Sequence, residues 1–294
     1  MLIARLIADV ADLETRLDAA ADAFASEGMP LASAVMLDFC GDVLQLSFAE
    51  ADPAKVLAGI DRFFAPTDSL VCRGEIVAPN LFVSDMDSTM IGQECIDELA
   101  DYAGLKTQIA GITERAMQGE LDFEAALRER VRLLEGLDES AIQQCLAERI
   151  RATPGAKSLV ATLAAQGART VLVTGGFHHF ADAVADELGF QRVVGNRLEV
   201  ADGKLTGGLS GPISDASTKK ATLLEEVGKL GPAAVSMAAG DGANDIPMLQ
   251  AANYGFAFRA KPKAREVASG RIDRGDLTSI LSLLGIPTKE WVHY

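Results

Sequence analysis

The chain has 294 residues, of which 49% are hydrophobic and 23% charged, and its formal net charge is −15. This composition predicts a packed globular protein with one large domain or two smaller ones. A surface this acidic repels nucleic-acid phosphates and anionic membranes, so we expect neither as a partner. A small anionic substrate remains compatible with it, because a few local cations and a metal can invert the field in a cleft.

The N-terminus and the cysteines both favour a cytoplasmic location. The first apolar run is short, is broken by Arg5 and Asp9, and makes a poor signal peptide. The four cysteines form no CxxC pair, so we expect free and mostly buried thiols.

Residues 1–75 form the first predicted unit, a small α+β domain. Two helices are expected at Asp12–Ser26 and Pro53–Phe64. The strand candidates are Leu2–Val10, Leu31–Phe39 and Val43–Phe48, the last two forming a hairpin. No reactive cluster is visible here, so the unit is either a regulatory or dimerising module or a structural appendage.

Residues 76–294 form the second predicted unit, in which short strands alternate with helices. Three strands are each followed by a glycine-containing turn and a helical pattern: Leu81–Ser84, Thr170–Val173 and Ala234–Ala239. This alternation predicts an α/β fold with a doubly wound, Rossmann-like parallel sheet, which binds ligands at the carboxyl ends of its strands. Those ends carry Asp85, Thr174 and Asp241.

A helical insert at about 94–151 separates the first two of these strands. It contains four helical patterns and is too long for a simple crossover, so we expect a cap that closes over the site. Farther along, Asp202-Gly203 predicts a type I′ turn in a hairpin at Arg197–Leu209.

Two pairs of carboxylates stand at the predicted strand ends. Asp85 and Asp87 can converge on one point, where their repulsion requires a cation or a shared proton. A carboxylate there can attack phosphorus while its neighbour transfers protons. Asp241 and Asp245 lie in a glycine-rich turn that suits Mg²⁺. The alternatives are a solvated Asx turn for the first pair and a helix cap for the second.

Possible phosphate ligands follow the second strand. Thr174-Gly175-Gly176 offers a hydroxyl and backbone N–H groups at a strand–helix turn. Lys219 or Lys220 could neutralise a phosphoryl group, and periodicity does not choose between them. His178 and His179 are interpreted as helix-start or core residues.

These motifs together resemble the four signatures of the haloacid dehalogenase superfamily of phosphatases. They are Asp85-Met-Asp-Ser-Thr, Thr174, the lysine after Asp215-Ala-Ser-Thr, and Gly240-Asp-Gly-Ala-Asn-Asp. Within that superfamily the chain is most similar to the phosphoserine phosphatase family, over about Leu81–Pro262. Threonine stands at position 174 where that family commonly has serine, and it keeps the hydroxyl.

The resemblance implies a magnesium-dependent enzyme. It implies that Asp85 is the nucleophile and a metal ligand, and that Asp87 is the general acid/base, with its backbone carbonyl also on Mg²⁺. Further implied roles are phosphate binding by Thr174, Gly175 and Lys219, metal binding by Asp241, support of the metal by Asp245, and substrate contact by Asn244.

The resemblance also implies a phosphoserine pocket in the insert. Glu94 corresponds to the residue that binds the amino group, Arg130 to the one that binds the carboxylate, and Met117 and Phe123 to apolar residues of the closed cap. The sequence supports Arg130 independently, because it falls on the apolar face of a predicted helix and needs an anionic partner or an escape to solvent. Glu94 has no such support, since a solvated glutamate on a polar helix face explains it equally well.

The implied activity is hydrolysis of O-phospho-L-serine through an aspartyl-phosphate, the last step of serine biosynthesis. The alternatives are a phosphotransferase that uses an acceptor alcohol such as homoserine, a phosphatase for another small phosphate, and a binding protein with an inactive site. The N-terminal unit loosely resembles ACT-like modules, and a homodimer is the base-rate expectation.

Overall fold

The N-terminal part of the chain folds into four antiparallel strands and two helices in a computed structural model that describes residues 1–117 and 120–294. The elements are β1 (Leu2–Ile7), α1 (Leu13–Ser26), β2 (Leu31–Leu37), β3 (Val43–Phe48), α2 (Pro53–Phe64) and β4 (Asp68–Arg73). β1 lies between β3 and β4, and β2 and β3 form the predicted hairpin. The sequence pattern predicts all of these elements except β4, which begins with the polar but buried Asp68 and Ser69.

The start of α2 shows why this part of the chain folds as predicted. The side chain of Asp52 accepts hydrogen bonds from the backbone N–H groups of Ala54 and Lys55, and Pro53 occupies the first helical turn. The apolar residues of α2 recur at helical spacing and join the core over β1 and β3: Val56, Leu57, Ile60 and Phe64.

The rest of the chain alternates strands and helices. The strands are β5 (Leu81–Ser84), β6 (Arg169–Phe177), β7 (Arg192–Ala201), β8 (Lys204–Ser210), β9 (Ser236–Gly240), β10 (Tyr254–Phe258) and β11 (Gly270–Ile272). Between β5 and β6 lie α3 (Cys95–Asp101), α4 (Lys106–Met117), α5 (Phe123–Leu133), α6 (Ser140–Glu148) and α7 (Ala156–Ala165). The remaining helices are α8 (His178–Leu188), α9 (Ala216–Leu230), α10 (Ile246–Ala251), α11 (Pro262–Val267) and α12 (Ser279–Leu284).

Both faces of the central sheet are buried, as expected of a doubly wound sheet. Along β5, Phe82 points into the cluster that contains residues of α7 and α8. Its neighbours Leu81 and Val83 point into the opposite cluster, which contains residues of α9 and α10. Successive residues of a strand face opposite sides, so a strand covered on both sides is apolar throughout.

The two parts of the chain share one sheet of 11 strands, in the order β2-β3-β1-β4-β11-β10-β9-β5-β6-β7-β8. The strands from β11 to β7 in this order are parallel, as predicted. The full sheet is mixed, because β4 pairs with β11 and β8 with β7 in antiparallel directions. The sequence did not predict this continuity, which joins the N-terminal strands edge to edge with the central ones.

Local features of the rest of the chain agree with the sequence pattern. Among the described residues, four helices, α3–α6, occupy the predicted insert. The turn between β7 and β8 has positive φ at Asp202 and Gly203, as the type I′ prediction requires. All four cysteines are unpaired. In the part of the chain that the structure describes, no helix combines the length and apolar character needed to cross a membrane.

Candidate active site

The carboxyl ends of β9, β5 and β6 lie side by side in the sheet, and residues at these ends or just beyond them line one cavity. Asp85, Thr174 and Asp241, which the sequence places at three separate strand ends, therefore meet at one edge. Residues of α4 and α5 and the N-terminal approach to α3 line the opposite side of the same cavity. The cavity thus combines a carboxylate-rich floor with walls from the helices between β5 and β6.

Asp85 is almost fully buried and both of its oxygens have partners. Its Oδ1 accepts a hydrogen bond of 2.8 Å from the backbone N–H of Met86, and its Oδ2 lies 2.7 Å from Nζ of Lys219. Burial, and then the charge of Asp245, raise the pKa of Asp85 to about 7 despite the opposing effect of Lys219.

Lys219 is completely buried and bridges two carboxylates. Its Nζ lies 2.7 Å from Asp245 Oδ1 as well as 2.7 Å from Asp85. Burial opposes its charge, but Asp245 and Asp85 together hold the pKa of Lys219 well above its usual range. Lys220 is exposed, so Lys219 is the one of the two lysines that faces the buried carboxylates.

Asp245 organises the turn that carries Asp241. Its Oδ2 accepts hydrogen bonds from the backbone N–H groups of Asp241 at 3.1 Å and Gly242 at 3.0 Å. A Cβ on Gly240 would clash with the Asp245 side chain, so close packing requires glycine there. Burial, and then Asp245 and Asp85, raise the pKa of Asp241 to about 9.

Asp87 lies on the next turn of backbone from Asp85, where Ser88 adopts a positive φ of 54°. Its Oδ1 accepts a hydrogen bond of 3.1 Å from the backbone N–H of Cys95 at the start of α3. Burial, and then the charge of Asp85, raise the pKa of Asp87 to about 6. A Cβ on Gly176 would lie 2.8 Å from Asp87 Oδ2, so this carboxylate sits directly over the glycine.

The Thr174–Gly176 segment differs from the predicted strand–helix turn. β6 continues to Phe177, with a register shift against β7 between Val173 and Phe177, and α8 begins only at His178. The irregular backbone lets Oγ1 of Thr174 accept a 2.8 Å hydrogen bond from the N–H of Gly176. The hydroxyl still faces the cavity beside Asp87, although it does not stand at a helix N-terminus.

Two buried residues that the sequence did not single out hold this segment. Asn196 Nδ2 donates to the carbonyl of Gly175 at 2.8 Å, and Ser214 Oγ donates to the carbonyl of Thr174 at 2.9 Å. The N–H of Ser214 donates to Asn196 Oδ1 at 2.8 Å, which closes the network. They are isolated polar residues in β7 and a loop, and no periodic signal marks them.

Glu94 is partly buried and precedes α3 as its N-cap residue. It is therefore not on the solvated face of that helix, as the alternative interpretation required. Its Oε1 accepts a 2.6 Å hydrogen bond from the hydroxyl of Ser88. Burial, and then the charge of Asp87, raise the pKa of Glu94 to about 8.

Arg130 lies on the buried face of α5 and lines the cavity with Phe123. It does not escape to solvent, since only 6% of the residue is exposed. Asn244 also lines the cavity, and its buried Oδ1 has no hydrogen-bond partner among the described residues. The side chain of Met117 lies outside the described part of the chain.

The acidic groups suit a divalent cation. Asp85, Asp241 and Asp245 each offer an oxygen within 4.8 Å of the others, although Asp245 already uses both of its oxygens. The carboxylate of Asp87 is not part of this group. Burial, and then the neighbouring carboxylates, raise the pKa values of Asp85 and Asp241 despite Lys219, so a further cation would favour their ionised forms. An all-oxygen donor set of this kind fits a hard cation such as Mg²⁺.

Comparison with known proteins identifies the family of the chain. The family model of haloacid dehalogenase-like hydrolases matches residues 82–250. A phosphoserine phosphatase from Idiomarina loihiensis is 46% identical over 205 residues, which are 69% of this chain and 93% of that protein. Another from Archaeoglobus fulgidus is 44% identical over 212 residues, 71% of this chain, but only 61% of that protein is covered.

A solved structure described as a phospho-aspartyl intermediate analogue of phosphoserine phosphatase superposes with a TM-score of 0.65 at 38% identity. The match covers 69% of this chain and 97% of that one. Together with the family model, these relatives show that the chain belongs to the haloacid dehalogenase-like hydrolases and, within them, to the phosphoserine phosphatase family.

Proposed function

We propose that this protein hydrolyses O-phospho-L-serine to serine and phosphate through an aspartyl-phosphate at Asp85, with Mg²⁺ as cofactor. The observation that carries the proposal is the position of Asp85, a buried carboxylate at the cavity floor whose Oδ2 is paired with Lys219. The names of the relatives favour hydrolysis over transfer to an acceptor alcohol.

Asp85 and Asp241, with the backbone carbonyl of Asp87, would hold the metal. When bound, Mg²⁺ supplies positive charge that binds the phosphate and keeps the nearby carboxylates ionised. Asp245 would support the site, because its oxygens already hold Lys219 and the backbone of the Asp241 turn.

The chain's own groups suit the phosphoryl-transfer step. An oxygen of Asp85 forms a bond to phosphorus as the bond from phosphorus to the serine oxygen breaks. Lys219, the Thr174 hydroxyl and the Gly175 backbone would bind the phosphate oxygens and stabilise their charge. Lys219 is preorganised for this role because two buried carboxylates fix its ammonium.

Asp87 is suited to move the proton. A carboxyl group with a pKa of about 6 can be protonated or ionised near neutral pH. It would donate a proton to the leaving serine oxygen and then take one from the water that attacks the aspartyl-phosphate. That hydrolysis releases inorganic phosphate and restores the carboxylate of Asp85.

The opposite wall of the cavity suits the amino-acid part of the substrate. Glu94 would accept the ammonium group, whose charge favours the ionised carboxylate and so lowers the raised pKa of Glu94. Arg130 would bind the carboxylate, and Phe123, with Met117, would cover the apolar side. From the sheet side of the cavity, Asn244 would contact the substrate, and its Oδ1, which accepts no hydrogen bond from the described residues, is available there as an acceptor.

Helices α3–α6 would act as a cap, because they carry the proposed amino-acid ligands while the chemistry lies on the sheet. Closure of such a cap excludes bulk water and strengthens the electrostatic interactions inside. The regulatory or dimerising role of residues 1–75 and the cytoplasmic location stay predictions.

The test is release of inorganic phosphate from L-phosphoserine, with and without Mg²⁺, beside a panel of other phosphomonoesters. We expect a magnesium-dependent preference for phosphoserine, and loss of turnover by more than about 10³-fold in Asp85→Asn. Activity on other esters only would contradict the substrate, and near-normal turnover by Asp85→Asn would contradict the covalent route.

A further inference from the structure

A buried hydroxyl connects the proposed carboxylate ligand to a neighbouring helix. Thr113 on α4 is 3% exposed, and its Oγ1 accepts a 3.0 Å hydrogen bond from Nη1 of Arg130 on α5. The same hydroxyl lies 2.7 Å from Oδ1 of Asp97 on α3. Three residues from three helices thus form one chain of hydrogen bonds.

The direction of that chain follows from donor chemistry. A threonine hydroxyl has a single proton, and a guanidinium can only donate. The carbonyl of Ile109 is a second possible acceptor at 3.1 Å, but the carboxylate of Asp97 is closer and charged. The Thr113 proton therefore goes to Asp97, and its lone pair accepts from Arg130.

The hydroxyl also keeps Arg130 out of a direct ion pair. Within the described parts of the chain, no carboxylate lies within 4.0 Å of its guanidinium nitrogens, although Asp97, Glu94 and Asp87 all act on it at longer range. Nε of Arg130 donates to the carbonyl of Ala126 at 3.2 Å, and Nη1 donates to Thr113. Two edges of the guanidinium are fixed in this way, while Nη2 is not engaged by any described residue.

We propose that Thr113, anchored by Asp97, is a positioning residue that aims Arg130 at the carboxylate of the substrate. The inference rests on the function proposed above and specifies how that site selects an amino-acid phosphate. Thr113 fixes the rotamer of Arg130 and separates it from Asp97. The Nη2 side of the guanidinium therefore stays available for the carboxylate of the substrate. Preorganisation of this kind removes side-chain ordering from the cost of binding.

The decisive measurement compares phosphoserine with phosphoethanolamine, which has the same phosphate and ammonium but no carboxylate. The readout is kcat/KM for phosphoserine divided by kcat/KM for phosphoethanolamine. This ratio is measured for the wild type and for Thr113→Val, which keeps the shape of the side chain and removes the hydroxyl. We expect the ratio to fall about tenfold, mainly through a higher KM for phosphoserine, the size expected for one hydrogen bond to a charged group. Thr113→Ser should restore it.

The matched control is Thr162→Val, which removes another buried threonine hydroxyl, one on α7 that accepts from the backbone N–H of Val292. It should lower stability without changing the ratio. Asp97→Asn provides a second route to the same result if Thr113→Val does not fold, and it should lower the ratio in the same direction.

A double mutant separates positioning from general damage. If Thr113 acts through Arg130, then Thr113→Val adds no further loss of the ratio in an Arg130→Ala background. An unchanged ratio in both Thr113→Val and Asp97→Asn would overturn the inference while leaving the phosphatase function intact. A wild type inactive on phosphoserine would instead overturn the function itself.

Discussion

Nζ of Lys219 lies 2.7 Å from Oδ2 of Asp85, and both side chains are buried at the cavity floor. The lysine offsets buried negative charge in the folded protein, and under the proposed function it would also present a cation where phosphate binds. Removal of one partner of a buried ion pair strongly destabilises a folded protein, because the other charge stays buried without its partner.

Replacement of Lys219 should lower activity, whereas replacement of its neighbour Lys220 should not. Lys219→Met should lower kcat by about 10²–10³-fold, the range for loss of one group that stabilises a transition-state charge. Lys220→Met is the control and should stay near wild type, because Lys220 is exposed. Equal losses in the two variants, measured by phosphate release, would contradict the assignment of Lys219.

The glycine beneath Asp87 gives a second prediction. A Cβ at position 176 would lie 2.8 Å from Asp87 Oδ2 and 3.1 Å from Thr174 Oγ1, so Gly176→Ala must displace one of these groups. We expect at least a roughly tenfold fall in kcat. The control is Gly228→Ala in α9, where the added Cβ would meet no described atom of a neighbouring segment within 4 Å; it should stabilise the fold by about 0.5–1 kcal/mol. Full activity of Gly176→Ala would show that this packing does not matter for the reaction.

The network behind Thr174 gives a third prediction. Asn196→Ala removes the donor to the carbonyl of Gly175 and the acceptor for the N–H of Ser214. It should lower the free energy of unfolding by about 1–3 kcal/mol, because buried partners lose their hydrogen bonds. It should also raise KM for phosphoserine, since the Thr174–Gly176 segment loses its support. A urea titration together with steady-state kinetics tests both effects, and a stability loss without any kinetic change would limit Asn196 to a structural role.

An ion-pair cluster between α2 and the central sheet predicts a pH-dependent stability. Oxygens of Asp61 lie 2.7 Å from Arg265 and 2.7 Å from Arg271. Burial opposes the charge of Asp61, but the two arginines hold its pKa below its usual value. A carboxyl whose pKa is lower in the folded state stabilises the protein above its unfolded pKa and loses that contribution as pH falls through the folded value.

We therefore expect Asp61→Asn to lower the free energy of unfolding by about 2 kcal/mol at neutral pH. The difference from wild type should stay constant between about pH 6 and 8 and shrink below about pH 4. Asp18→Asn on the exposed side of α1 is the control. A difference that persists unchanged at acidic pH would show that the charge of Asp61 is not responsible.

Much of the candidate site could be predicted because its signals are local. Asp85 and Asp241 follow short apolar strands, and parallel strands bring such positions to one edge. Arg130 was visible as a charge on an apolar helix face. These inferences need only the pattern of the segment that contains each residue.

The rest depends on contacts between distant parts of the chain. Asn196 and Ser214 matter because they meet across 18 residues and hold a backbone segment of another strand. Lys219 and Lys220 differ in orientation: the packing of α9 against the sheet decides which of the two side chains is buried. The strand β4 is stabilised by pairing with β1 on one side and the three-residue β11 on the other. Because these partners are distant in the sequence, a local pattern does not predict it.

The division of the cavity between sheet and helices has a consequence for how such an enzyme can change. The groups proposed for phosphoryl transfer follow β5, lie in the last part of β6 or open α9, whereas Glu94, Phe123 and Arg130, which are proposed to bind the amino acid, lie at or within α3 and α5. Under the proposed function, substitutions in the stretch from α3 to α6, between β5 and β6, would therefore alter which alcohol is accepted while the groups proposed for phosphoryl transfer stay in place. Exchange of that single segment would change the substrate that the protein binds and leave the groups proposed for phosphoryl transfer unchanged.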